Sequence, residues 1–134
     1  MFLGSPLWRA SKNQADHNIA LVDEPIFPHL DPNSPYRDWA TTICFYAALH
    51  YFMAYCQQNP AMPKRFKDHK TRNRFIKTNT DLKIQSIRQD YITLFKASED
   101  ARYKPLYFNR QLPNDVEQYY KLAVEEIPRK LGIK

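Results

Sequence analysis

The sequence predicts an all-α protein, an up-and-down bundle of four to five helices, and three observations carry that expectation. Only two glycines occur in 134 residues, Gly4 and Gly132, both near the ends, whereas a β-rich fold with many tight turns needs them throughout. Residues 38–57, DWATTICFYAALHYFMAYCQ, run without Pro or Gly and are apolar nearly all round, the pattern of a helix buried on every side. Ile84, Ile87, Tyr91, Leu94, Ser98 and Ala101 then recur at spacings of three and four, which puts them on one face of a second long helix. With 43% hydrophobic and 14% aromatic residues the chain can bury a real core, and residues 1–134 make a single helical domain.

Taken in order, Trp8, Ala15, Ile19 and Val22 predict a short first helix with Lys12, Asn13, Asp16 and His17 outside, ending before Pro25. Pro25, Pro28, Pro32 and Pro35 mark a linker that Phe27 and Leu30 pin to the bundle. Residues 1–37 are therefore a short helix and Pro-rich linker, and residues 38–130 the bundle proper. Asp38 or Ser34 is the expected N-cap of the central helix. Trp39, Ile43, Tyr46, Ala47, His50 and Ala54 form its predicted core stripe. Phe45, Phe52 and Tyr55 are expected to be left uncovered by so few partner helices, which predicts a homodimer. Polar atoms on Thr41, Thr42, Tyr46, His50 and Tyr55 argue against lipid, where they lack partners, so no membrane is expected.

Asn59, Pro60 and Pro63 end the central helix, and a short helix is expected around Lys67–Lys77. Thr78–Asp81 reads as a turn and cap. The helix carrying Ile84 to Ala101 follows, with Lys83, Arg88, Lys96 and Glu99 on its outer side. Residues 102–112 form a packed connection. Asn114 caps a last helix with Glu117 at its third position. Val116, Tyr119 or Tyr120, Ala123 and Ile127 point inward, and Pro128 kinks or ends it.

The chain carries +6, and its distribution is uneven. Between Lys64 and Lys77 lie seven basic residues and one acid, Asp68, so this run alone accounts for the excess. Such a patch attracts phosphate or another polyanion. The four histidines and two cysteines show no metal-ligand spacing, and neither a glycine-rich phosphate loop nor a nucleophile elbow occurs, so no cofactor and no metal are expected. Cys44 and Cys56 sit on one helix roughly 18 Å apart along its axis, too far for a bridge. Met1–Leu7 lacks a charged start and a long apolar run. Both features fit a cytoplasmic protein.

Three stretches in succession, DWATTICFYAALHYFMAYC, HKTRNRFI and YITLFKASEDARY, resemble the HEPN-like family of small bacterial helical proteins over about residues 38–130. The resemblance implies a helical bundle, often a homodimer, and includes metal-independent ribonucleases of toxin–antitoxin or defence systems. Their signature is Arg, four to six residues, then His. This chain departs from it, because only three residues separate Arg65 from His69. If the chain is a nuclease, His50, His69 and Arg72 are its catalytic candidates, since an imidazole beside a guanidinium can hold a phosphate and move a proton. The competing reading of His50 is a core histidine hydrogen-bonded to Tyr91 or Tyr103. Arg65, Lys67, Lys70, Arg72 and Arg74 are the nucleic-acid-binding candidates, and Tyr46, Arg102 and Tyr103 the cleft candidates. The missing interval favours a non-catalytic module that binds RNA, another polyanion or a protein over the ribonuclease.

Overall fold

The computed structural model describes residues 7–23, 37–103 and 115–133. These form an all-α bundle of five helices, with no strand among the described residues. They are α1 (Leu7–Asp23), α2 (Arg37–Gln58), α3 (His69–Thr78), α4 (Leu82–Tyr103) and α5. The last helix runs on through Asp115–Lys121, a π-helical turn at Leu122–Glu126, and Ile127–Leu131. The Pro25–Pro35 linker with Phe27, Leu30 and Ser34, the connection over 104–112, Asn114, and the side chains of Val22 and Val116 lie outside the described residues.

The central helix α2 packs against α1, α4 and α5. Cys44, Phe45, Ala47, Ala48, Tyr51, Phe52, Ala54 and Cys56 have no solvent exposure at all. That burial covers most of its circumference, as its unbroken apolar character requires. Two expectations need correction. Trp39, placed on the core stripe, is 63% exposed, because it lies in the first turn of α2 where fewer helices reach. Phe45, Phe52 and Tyr55, expected to remain for a second copy, are buried within one chain. The ground given above for a dimer is thereby removed. Ile43, Tyr46 and His50 are half-buried.

Polar ties fix the neighbours of α2. The Tyr51 hydroxyl donates to Asp16 Oδ1 of α1 at 2.6 Å, and Lys12 donates to the other oxygen of Asp16 at 2.9 Å. Burial, reinforced by Asp16, raises the pKa of Tyr51 and keeps it a donor. Lys64 Nζ donates to the carbonyls of Cys56 and Asn59 at 3.1 and 2.6 Å. It thus sits as a cation on the negative end of α2, and the basic run has one member fewer for a ligand.

The cap of α4 agrees with the sequence, whereas α3 begins at His69 and not near Lys67, because Asp68 stops it. Asp68 is the N-cap of α3, accepting from Thr71 N at 2.8 Å. Asp81 plays the same part for α4, accepting from Ile84 N at 3.0 Å. Asp38, by contrast, lies inside the first turn of α2 and accepts from Trp39 N. On α4, Ile84, Ile87, Tyr91, Leu94, Ser98 and Ala101 are all buried, as their period demands.

Tyr119, Ala123 and Ile127 of α5 are buried, and Tyr120 is half-buried. Pro128 neither ends nor breaks α5. Ile127 N–H reaches back five residues to the Leu122 carbonyl, and this widened turn lets the helix continue past a residue that has no N–H of its own. Gly132, at φ 73°, closes the helix. Ile133 N–H bonds the Pro128 carbonyl, a left-handed C-terminal cap that favours glycine.

A basic cleft between α3 and α4

Helix α3 presents two faces. His69, Arg72, Asn73 and Ile76, spaced three, four and seven, turn toward the bundle, and Ile76 is fully buried. Lys70, Arg74 and Lys77 stay exposed along the flank. Cations in the first turn of a helix oppose its positive end, at a cost of roughly 0.3–1 kcal/mol each. Lys70 stands in that unfavourable first turn, whereas Lys77 in the last turn is favourably placed, so helix stability accounts for Lys77 and not for Lys70.

Beside that flank lies a cleft of about 700 Å³. Lys70, Asn73, Arg74, Lys77 and Thr78 of α3 form one wall, with Phe95, Glu99, Arg102 and Tyr103 of α4 opposite and His69 and Tyr46 at its base. Four permanent cations face one carboxylate, Glu99. The cleft falls within the size range of small-ligand sites, about 300–1,000 Å³.

Arg102 is the most closely held of these cations. Its Nη1 donates to the Tyr46 hydroxyl at 2.7 Å, and its Nε donates to the Ser98 carbonyl at 3.2 Å. The guanidinium stacks 5.4 Å from the Tyr46 ring and 5.1 Å from the Tyr103 ring. Its recorded acceptors are all neutral, and no carboxylate lies within ion-pairing distance among the described residues. The three cleft candidates, Tyr46, Arg102 and Tyr103, are thus brought together.

His69 and Arg72 also meet. Arg72 Nη1 lies 2.9 Å from His69 Nδ1. A guanidinium can only donate, so Nδ1 must accept, and His69 is neutral with its proton on Nε2. Burial is the larger cause that lowers the His69 pKa, with the charges of Arg72 and Arg102 adding to it. The imidazole sits among Phe45, Tyr46 and Phe95, at ring distances of 5.8, 6.2 and 5.6 Å.

Arg72 itself points inward, over the Phe66 ring at 5.9 Å, and does not line the cleft. Its Nε and the Tyr91 hydroxyl have no partner at full hydrogen-bond geometry among the described residues. Burial raises the pKa of that hydroxyl, and the Arg72 guanidinium, which lies against it, works to lower it. His50 makes no hydrogen bond among the described residues, neither to Tyr91 nor to Tyr103. Its pKa is lowered by burial first and by the Arg72 charge second. His50 does not line the cleft. Arg65 and Lys67 are exposed in the segment before α3 and stand outside the cleft wall.

Sequence reasoning missed Asn73, Lys77, Thr78, Phe95 and Glu99 as cleft residues. The signal was present: Phe95, Glu99 and Arg102 are spaced four and three, on a stripe beside the core stripe of α4, and Lys70, Arg74 and Lys77 repeat the same interval on α3. Among the described residues no cluster of His, Cys, Asp and Glu is arranged to hold a metal, and no helix is long and apolar enough to cross a membrane. Comparisons with protein-family models, curated proteins and solved structures give no match.

Proposed function

We propose that this chain is a HEPN-like helical protein that binds single-stranded RNA in the cleft between α3 and α4 without cleaving it. The observation that carries the reading is Arg102, a guanidinium fixed between two tyrosine rings with only neutral acceptors among the described residues. Lys70, Arg74 and Lys77 face it across the same cleft. Cations that track a backbone, combined with aromatic faces for bases, are what single-stranded nucleic acid requires. The three stretches that resemble the HEPN-like family support the same reading. Binding is preferred over catalysis because the Nδ1 lone pair of His69 is occupied by Arg72, so the imidazole offers an N–H and no free base. His50, the other candidate, stands off the cleft.

The ribonuclease alternative has one observation in its favour: Glu99 shares the cleft with His69 and can accept a proton there.

Titration of a short single-stranded RNA at several salt concentrations tests the reading. Each phosphate contact contributes about −0.7 to the slope of log affinity against log salt. The double variant Lys70→Ala/Arg74→Ala should bind more weakly and lose roughly 1.4 from that slope. An unchanged slope would reject the cleft. RNA cleavage by the wild type that Glu99→Gln abolishes would establish the catalytic alternative instead.

A further inference from the structure

A second recess of about 380 Å³ adjoins the first, and Arg102 and Tyr103 line both. Its other residues are Asp38, Trp39, Thr42 and Ala101. Ala40 and Ala101 form a small buried contact of their own, and their size lets the start of α2 approach the end of α4. Two large aromatic side chains stand beside this floor in solvent, Trp39 at 63% and Tyr103 at 71% exposure. Leaving both uncovered forgoes burial that each would gain in a core. One carboxylate, Asp38, lines the same recess. Its Oδ1 accepts from Trp39 N at 2.9 Å, which leaves Oδ2 and further lone pairs for a ligand. Thr42 is already committed, donating to the Asp38 carbonyl at 2.9 Å.

We infer that this recess is a nucleobase subsite with a preference for guanine, stacked against Trp39 and Tyr103 and read by Asp38, beside a phosphate held by Arg102. The inference rests on the reading of the neighbouring cleft as an RNA site. Aromatic faces accept any base, so the carboxylate supplies the choice. A carboxylate is acceptor-only, and guanine presents two adjacent donors, N1–H and the N2 amino group, that match its two oxygens. Adenine and cytosine each present one amino donor beside a ring acceptor. Uracil places a carbonyl oxygen on either side of its single donor, and both oxygens repel the carboxylate. A negative charge in the slot equally disfavours a second phosphate, which keeps phosphate in the basic cleft and base in the recess. Arg102 lies at the junction and fixes the register between them.

The test uses the full chain and two RNA hexamers, oligouridylate and the same oligomer with one uridine replaced by guanosine, followed by tryptophan fluorescence and by anisotropy of a labelled end. The guanosine hexamer should bind at least about fivefold more tightly, as base–aromatic stacking with an edge contact allows, and should quench fluorescence. Asp38→Asn should reduce the preference to less than about twofold, weakening the guanosine hexamer and tightening oligouridylate as the repulsion is lifted. Trp39→Ala should remove the preference and the quench, and Trp39→Phe should restore the preference. Circular dichroism should show both variants folded, since Trp39 is exposed. Equal binding of the two hexamers by the wild type, with the Lys70/Arg74 dependence intact, would overturn the inference and leave the cleft reading standing. Full guanine preference in Asp38→Asn would overturn the role of Asp38 in reading the base. No binding of either hexamer would reject subsite and cleft together.

Discussion

Along α4 every third or fourth residue from Ile84 to Ala101 is apolar or small, and every one of them is buried. Along α3 the same spacing brings His69, Arg72, Asn73 and Ile76 toward the bundle, and only Ile76 is fully buried. The two helices pack on each other, yet one contributes core and the other contributes polar groups. On α4 each inward residue removes apolar surface from water. On α3 a guanidinium, an amide and an imidazole take those places, and Asn73 Oδ1 is buried with no hydrogen-bond partner among the described residues. α3 thus closes the core over Phe45 and Phe52, through His69 and Phe75 at ring distances of 5.8 and 6.3 Å, and still turns its cations toward the cleft.

Substitutions should separate the two regions by size of effect. The largest is expected at Phe45, whose ring lies 5.6 Å from those of both Tyr91 and Phe95 and 5.2 Å from that of Tyr46. Phe45→Ala should destabilise the fold by about 3–5 kcal/mol. Arg74→Ala on the outer flank of α3 should fall within about 0.5 kcal/mol of wild type. Denaturant unfolding of both variants checks the contrast, and comparable losses would mean that α3 is as integral to the fold as α2.

An intermediate effect is expected at the junction. Asp81 caps α4 and also accepts from the Tyr55 hydroxyl, at 3.0 and 2.9 Å through its two oxygens. Burial first, and that carboxylate second, push the Tyr55 pKa up to about 12. Asp81→Ala removes a cap and strands a hydroxyl, and should cost about 1–3 kcal/mol. Asp81→Asn, which can still accept from both partners, should recover most of it. An Asn variant as weak as the Ala variant would show that charge, not capping, is what Asp81 supplies.

How much of this was legible in the sequence follows the same division. The period of α4, the Pro- and Asn-rich end of α2 and the cap at Asp81 are local signals, and each was readable because one residue type serves one geometric need; Asp68 was read only as a charge, although the same need makes it the cap of α3. The position of Trp39 was not, since a helical stripe says which residues share a face and not how far along that face the partners extend. Phe45, Phe52 and Tyr55 were misjudged for a related reason. The number of helices counts covering elements but not the area that long aromatic side chains fill. At the site, the pairing of His69 with Arg72 was legible from their interval. The inward turn of Arg72, the capping use of Lys64 and the recruitment of Glu99 were not. A charge in a sequence carries no mark of the direction in which its side chain points.

A smaller effect, of opposite sign, is expected at Arg72. Its charge is half-buried and has no carboxylate partner among the described residues. Arg72→Met keeps the apolar stem and its contact with Phe66 while removing the desolvated charge. It should leave stability unchanged or raise it by about 1 kcal/mol. A loss of more than about 1 kcal/mol would show that the His69 contact outweighs the desolvation.

The subtlest effect is in pH dependence. His50 and His69 both have pKa values below the ordinary 6.5, chiefly through burial and then through the charge of Arg72. An unfolded chain takes up protons at these residues near pH 6.5, while the fold resists doing so until a lower pH. The stability held above the unfolded value is therefore lost as pH falls from about 6.5 through the folded values, and levels off beneath them. Protonating His69 also removes the acceptor that Arg72 uses. Melting temperature should accordingly drop between about pH 7 and about pH 5, above the range where most carboxylates titrate. Arg72→Met deletes one depressing cause at each histidine at once, so its melting temperature should fall less over that interval. Titration of the two imidazoles by NMR should show both pKa values moving upward in the variant. If wild type and variant lose stability in parallel and the imidazoles do not move, then Arg72 sets neither histidine, and the inward guanidinium of α3 is electrically silent toward the core that α4 builds.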